Sequence, residues 1–319
     1  MLKRCVVLAL VFVFVAAGVA SGKEPALTVA KPKLRAALTC DRSLAHARKD
    51  AVLLIHGTFA DSAINWSWNY AKTLPTTGRR VCWVDLPDKA AGDIQVSAQY
   101  VVFAIRQMAR RSQRRVAIIS HSQGGLEARW ALRWWPSLRP LVSDAILLVA
   151  PNHGAIYPDT ACVAPNSCAA SLYQMMSSSR FLAALDRGGD TIGKVPFTSV
   201  ATRADKVFVG PDQAAFKPAG PTTRNFVLQD FCPTDVAQHN DMPFDGPAYR
   251  IVLDALDHRG PAGGKRLRAA AICKDDTMPG VDRADAEARL AAYTGTLIGL
   301  LGPTGPKAPG EPALAPYAR

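Results

Sequence analysis

The stretch Val116-Ala-Ile-Ile-Ser-His-Ser-Gln-Gly-Gly-Leu126 constrains the fold more than any other part of the chain. An apolar β-type run ends at Ser120, small residues follow, and helix-forming residues continue from Gly124 to Trp135. A strand that turns sharply into a helix lifts the central serine, Ser122, clear of the backbone. The flanking positions must be small because the helix folds back onto the strand. Ser120 stands where such elbows commonly carry glycine. The backbone N–H of Gln123, next along, points where negative charge would develop if Ser122 attacked a carbonyl.

Around this turn the chain alternates short apolar runs with helical periodicity. Strands are expected at Val52–Ile55, Val81–Val84, Val116–Ile119, Ala145–Ala150, Phe197–Ala201 and Asn225–Leu228. Helical spacing of apolar residues marks Val96–Met108, and Ala284–Leu300 reads as a further helix. Such alternation predicts an α/β fold, a mostly parallel central sheet with helices on both faces. Ligands then bind beyond the carboxyl ends of the strands. Thr58, Ser122, Asp205 and His239 all follow such ends.

A serine hydroxyl is a weak nucleophile. It needs a base in reach, and the base needs an orienting acid. On sheets of this kind the chain order is serine, acid, histidine. Of the six histidines, His46 and His56 precede Ser122, His121 adjoins it, and His153 comes before the expected acid loop. His239, in the polar loop Gln238-His-Asn-Asp-Met-Pro243, is the expected base, with His258 as runner-up. Asp205 follows the Phe197–Ala201 strand and is the expected acid; Asp190 and Asp230 are weaker candidates. The His56-Gly-Thr-Phe59 loop supplies a second oxyanion donor from Thr58 beside Gln123.

Residues 1–22 read as a signal peptide. Lys3 and Arg4 precede an apolar Cys5–Ala17 stretch too short to span a bilayer, and small residues follow. Residues 23–301 then form one α/β domain, opening with a mixed, polar N-terminal arm over residues 23–50. Residues 302–319, rich in Pro, Gly and Ala, form an extended tail. The insertion 155–193 carries Cys162, Cys168 and an amphipathic stretch, and is a candidate lid that would otherwise pack on the sheet.

Six cysteines lie beyond the leader: Cys40, Cys82, Cys162, Cys168, Cys232 and Cys273. An even set in an exported chain argues for disulfides, but six allow 15 pairings and the spacing does not choose. A metal site finds no support in Cys-x-x-Cys or His-x-x-x-His spacing, and no cofactor is expected. The formal charge of +12 is scattered, which suits a solvated surface with some attraction to anionic lipid and does not read as a nucleic-acid site.

The segments Ala37-Leu-Thr-Cys40, Asn65-Trp66, Cys82-Trp83, Asp93-Ile-Gln-Val96, Ser122-Gln-Gly-Gly-Leu126, Trp135-Pro-Ser-Leu-Arg139 and Asp205-Lys-Val resemble the Candida antarctica lipase B-like family of α/β-hydrolases. A final echo is Pro316-Tyr-Ala-Arg319. The resemblance implies the α/β-hydrolase fold. It implies Ser122 as nucleophile, Asp205 as acid, His239 as base, and Thr58 and Gln123 as oxyanion donors. It also implies disulfides Cys40–Cys82 and Cys232–Cys273. Two departures stand out. His121 replaces a tryptophan that lines the family's alcohol pocket, and Cys162 and Cys168 are added in the lid region. A secreted monomeric triacylglycerol lipase or carboxylesterase, working at a lipid interface and able to transesterify, is the implied activity. Short-chain esterase and polyester depolymerase are alternatives of the same chemistry. A non-catalytic surface-binding module is the alternative of another class.

Overall fold

In the computed structural model, which describes residues 24–319, seven strands form one sheet. They are β1 (Leu38–Cys40), β2 (Ala51–Ile55), β3 (Val81–Val84), β4 (Val116–His121), β5 (Val142–Leu148), β6 (Phe197–Ala201) and β7 (Thr223–Val227), in the order β1-β3-β2-β4-β5-β6-β7. β1 runs antiparallel to β3, and every other neighbouring pair is parallel. The inner strands β2, β4 and β5 are buried at every position, as expected of strands covered on both faces.

Among the described residues, nine α-helices of five residues or more surround the sheet. They are α1 (Lys31–Ala36), α2 (Tyr70–Thr76), α3 (Ile94–Ser112), α4 (Gly124–Trp134), α5 (Ile156–Ala161), α6 (Ala170–Gln174), α7 (Arg180–Leu185), α8 (Gly246–Asp257) and α9 (Arg283–Leu301). Asp93 caps α3 by accepting from the Gln95 N–H at 2.9 Å, which starts that helix two residues before its apolar periodicity becomes visible. Asp245 caps α8 in the same way, accepting from Ala248 at 2.7 Å.

Sheet order decides where a site forms. After β2 the chain builds β3 on one side, then crosses to lay β4 on the other side of β2. The loops leaving β2 and β4 therefore emerge side by side, with Ile55 paired to Ser120. That reversal opens a crevice at the carboxyl ends of the strands.

Three segments gain detail. The N-terminal arm contains a helix, Lys31–Ala36, and Leu38–Cys40 joins the sheet edge, stapled to β3 by Cys40–Cys82. The insertion 155–193 meets both the crevice and the core. Its first two helices wall the crevice, while α7 packs on the core, Phe181 stacking on Trp130 with ring centroids 4.5 Å apart. The C-terminal tail is extended but docked. Ala308 donates to the Cys168 carbonyl at 2.8 Å, and the Tyr317 hydroxyl accepts from Trp130 Nε1 at 3.1 Å. The expected leader, residues 1–22, lies outside the described residues. Disulfides Cys40–Cys82, Cys162–Cys168 and Cys232–Cys273 are present. Among the described residues no helix is long and apolar enough to cross a membrane.

Candidate active site

Ser122 adopts φ +52°, a left-handed conformation that a non-glycine residue holds only when its surroundings enforce it. Two contacts enforce it. Its N–H donates to the Leu148 carbonyl at 2.8 Å, and α4 starts immediately beyond it, packed against β2. A Cβ at Gly124 would lie 2.6 Å from the Ile55 carbonyl oxygen, and one at Gly125 would lie 2.5 Å from the Ala150 Cβ. The tight turn therefore needs both glycines, while the hydroxymethyl of Ser120 fits at the position before the turn.

The loops after β6 and β7 bring the other two groups to Ser122. The Ser122 Oγ lies 2.9 Å from His239 Nε2, and His239 Nδ1 lies 2.6 Å from Asp205 Oδ2. Asp205 is held by its own loop, whose Val207, Phe208 and Val209 N–H groups donate to its two oxygens at 3.2, 2.8 and 2.8 Å. Burial alone would raise the Asp205 pKa. The His239 ring and the backbone donors outweigh it, so the carboxyl sits below its ordinary range and stays ionised near neutral pH. With Asp205 accepting at Nδ1, His239 keeps its Nε2 lone pair toward the serine proton.

In the two loops next to Ser122, the backbone N–H groups of Thr58 and Gln123 find no protein acceptor among the described residues. Unsatisfied donors next to a serine hydroxyl suit an oxyanion. The loop that carries Thr58 is fixed by three contacts. Asn65 Oδ1 accepts from Gly57 N–H at 3.0 Å, Tyr293 donates to the Thr58 carbonyl at 2.9 Å, and Phe59 N–H donates to Lys89 at 2.7 Å. His56, passed over as a base, is fully buried. Its Nε2 accepts from Leu86 N–H at 2.9 Å, which leaves Nδ1–H for the Gly57 carbonyl at 2.8 Å. Burial pushes its pKa down, so it stays neutral and braces the loop.

The remaining candidates lie elsewhere. His258 sits at the end of α8 beside Asp254, and Asp230 pairs with exposed Arg203 at 2.6 Å. Asp190 accepts from buried Arg129 at 3.2 Å and lies 3.0 Å from His153. The hydrogen bonds of Asp186 and Asp190 raise His153 to about 9. These four groups form a charge-compensated cluster in which the Arg129 guanidinium and the protonated His153 ring offset the Asp186 and Asp190 carboxylates.

His121 is buried between the two halves of the site. Its Nδ1 lies 3.1 Å from Asn65 Oδ1 and its Nε2 lies 2.9 Å from the His239 carbonyl. Burial, and then the neighbouring His239 ring, lower it to about 3, so it is neutral and its one ring N–H can donate to only one of these two oxygens. It lines both the main cleft and a smaller pocket of about 290 Å³ beside Trp68 and Leu290.

The main cleft has a volume of about 510 Å³ with its open mouth included, and Ser122 lies at its floor. Tyr157, Leu172, Met175, Phe208, Leu297 and Leu301 make its walls apolar. Leu297 and Leu301 come from α9, whose contribution was not foreseen. Its residues read only as a C-terminal helix, and nothing local says that it crosses the crevice.

Known proteins share much of this sequence and its fold. The chain is 28% identical over 314 residues to lipase B of Pseudozyma antarctica, covering 94% of this chain and 88% of that one. The crystal structure of lipase B from Aspergillus fumigatus matches with a TM-score of 0.83 at 29% identity, covering 93% of this chain and 73% of that one. The chain is a carboxylic ester hydrolase similar to lipase B. Its fold is the α/β-hydrolase fold. A Bacillus licheniformis lipase in its propeptide form matches more distantly, with a TM-score of 0.54 at 17% identity over 67% of this chain and 52% of that one, which speaks for the fold alone. No family model matches the chain.

Proposed function

We propose that this lipase B-like hydrolase is an exported serine enzyme that cleaves lipid esters, most readily triacylglycerols, through an acyl-enzyme. The observation that carries the reading is the continuous hydrogen-bond line from Ser122 through His239 to Asp205, at 2.9 and 2.6 Å, at the floor of an apolar cleft. Ser122 Oγ attacks the ester carbonyl while His239 Nε2 takes its proton. The carbonyl oxygen becomes an oxyanion between the Thr58 and Gln123 N–H groups. Collapse expels the alcohol, which receives the proton back from His239. Water, or an acceptor alcohol, then enters by the same steps and releases the acid or a new ester. The apolar walls suit an acyl chain, and the family resemblance supports a lipid ester. Three disulfides and the leader-like N-terminus support export to an oxidising compartment.

The test compares emulsified triacylglycerol with soluble p-nitrophenyl esters of increasing chain length, using wild type and Ser122→Ala. Ser122-dependent hydrolysis of emulsions and long chains supports the lipase reading. Ser122-dependent activity confined to short soluble esters makes the protein an esterase and turns attention to polyesters. Wild-type activity matched by Ser122→Ala would sink the assignment of the nucleophile.

A further inference from the structure

The side chain of Gln123 has every hydrogen bond in its amide committed. Its Nε2 donates to the Ala90 carbonyl at 2.9 Å and to Glu127 Oε1 at 2.8 Å, and its Oε1 accepts from the Thr58 hydroxyl at 2.5 Å. The two donor loops of the oxyanion hole belong to different strands, 65 residues apart in sequence, and this amide joins them. Two acceptors on one side fix its orientation: the NH₂ must face Ala90 and Glu127, so the carbonyl must face Thr58, and the Thr58 hydroxyl must donate. Ala90, at φ +61°, and Lys89, at φ +52°, sit in a strained turn that serves both loops, because Lys89 accepts from Phe59 N–H while Ala90 accepts from Gln123.

Glu127 is the unusual member of this group. It lies one turn along α4 from Gln123 and is fully buried, and its Oε2 has no partner among the described residues. A buried carboxyl with one idle oxygen stabilises a helix–sheet interface less well than an apolar side chain of similar size would. The contact it does make is to the Gln123 amide.

Resting on the serine reading above, we infer that Glu127 is a positioning residue for the oxyanion hole, holding the Gln123 amide so that it ties the Thr58 loop to the nucleophile turn. Burial raises its pKa to about 8, so at neutral pH it holds Gln123 as a neutral acid and puts no negative charge behind the site of the oxyanion. The clamp acts on the spacing of two donors that matter only when charge develops on the carbonyl oxygen. Its loss should therefore appear in kcat rather than in KM.

The experiment measures kcat and KM on p-nitrophenyl butyrate, with melting temperature, for Glu127→Leu, Glu127→Gln, Thr58→Val and Glu127→Leu with Thr58→Val. Complete loss of one oxyanion donor costs on the order of 100-fold or more. Loosening both through the clamp should cost about tenfold in kcat in Glu127→Leu, with KM within about twofold of wild type. Glu127→Gln keeps an acceptor for Gln123 and should stay within about threefold of wild type. In the Thr58→Val background the link is already cut, so Glu127→Leu should add less than about twofold. If Glu127→Leu does not fold, Glu127→Met removes the acceptor with less change of shape and is read in the same way. Unchanged kcat in the folded acceptor-less variant overturns the inference, as does an equal loss in Glu127→Gln or in the Thr58→Val background. In each case wild-type activity that depends on Ser122 keeps the serine reading intact. Wild-type activity independent of Ser122 overturns both.

Discussion

The Ser122 corner and the wall that faces it are built on opposite terms. At the corner, where β2 and β4 end, each side chain of the proposed triad, and Gln123 beside it, is aimed by partners of fixed direction. His239 lies between Ser122 and Asp205, Asp205 accepts three backbone N–H groups, and Gln123 has a committed amide. The wall from α5, α9 and the end of α6 offers Pro158, Leu172, Met175, Leu297 and Leu301 as apolar surface, and its one hydrogen bond to the corner is Tyr293 to the Thr58 carbonyl. Proton transfer and charge stabilisation depend on angle and lose steeply with displacement. Apolar contact depends on area and tolerates rearrangement. Changes at the corner should therefore alter rate without altering preference, and changes in the wall should do the reverse.

The largest break in this contrast comes from the acid. In Asp205→Asn the amide can donate to His239 Nδ1, and the ring then presents a proton rather than a lone pair to Ser122. A loss of about 10⁴-fold in kcat is expected, with the ranking of ester chain lengths unchanged. A chain-length profile that shifts with the rate would show that the corner also sets specificity. A loss below about tenfold would remove Asp205 from the role.

The corner was also the part most legible in the sequence, for the same reason. A strained serine turn leaves no room for a Cβ at Gly124 or Gly125, so its small residues are compulsory and show as a motif. Asp205 and His239 could be chosen because chain order on a parallel sheet limits which loops reach Ser122. The pairings Cys40–Cys82 and Cys232–Cys273 followed from resemblance alone, and Cys162–Cys168 lies outside it. Less was legible where direction is not demanded. Leu126-Glu-Ala-Arg129 is ordinary helix composition, and a buried glutamate in it looks like a solvated one. β1 has three residues, too few for periodicity to register. The docking of α9 and of Tyr317 depends on distant surfaces, and neither has a local signature. The elbow strand runs two residues past the apolar stretch because Ser120 and His121 are polar yet buried, His121 with its ring between Asn65 Oδ1 and the His239 carbonyl.

The wall should break the contrast from the other side. Leu297→Trp places a large ring in the cleft without touching Ser122, His239 or Asp205. Losing room for a few methylenes is worth about 1–3 kcal/mol, so the ratio of long-chain to short-chain kcat/KM should fall about 10- to 100-fold. The kcat on an acetyl or butyryl ester should stay within about twofold. An equal loss on all chain lengths would show that α9 holds the corner as well, through Tyr293 and the Thr58 carbonyl.

A smaller effect separates two buried groups beside the nucleophile turn. His121 is lowered to about 3 from 6.5 by burial, so its neutral form favours the folded state above about pH 6.5, and that stability is lost as pH falls toward 3. Glu127 is raised to about 8 from 4.5 by burial, so its contribution is complete below about pH 4.5 and is lost as pH rises through 8. Glu127→Gln should flatten the decline in unfolding free energy between about pH 5 and 8 by up to about 1.4 kcal/mol per pH unit. Asp144 and Asp245, both raised to about 8 chiefly by burial, would keep part of the slope in the variant. An identical slope in urea melts of wild type and variant would mean that Glu127 titrates alike in the folded and unfolded chains.

The smallest effect tests whether the wall depends on its own staple. Cys162–Cys168 spans only 6 positions, against 42 for Cys40–Cys82. In the chain-entropy account the short loop contributes about 2 kcal/mol and the long one about 4. The short bridge lies between α5 and α6, whose Tyr157, Pro158, Leu172 and Met175 line the cleft. Cys162→Ser with Cys168→Ser should therefore lower the melting temperature by a few degrees. It should also raise KM for long-chain esters by about two- to fivefold through a looser wall, and leave kcat on a short ester unchanged. A matching fall in kcat on the short ester would show that order in the wall reaches Ser122, and the separation of corner from wall would then fail at the loop Pro151–Ala155 that joins them.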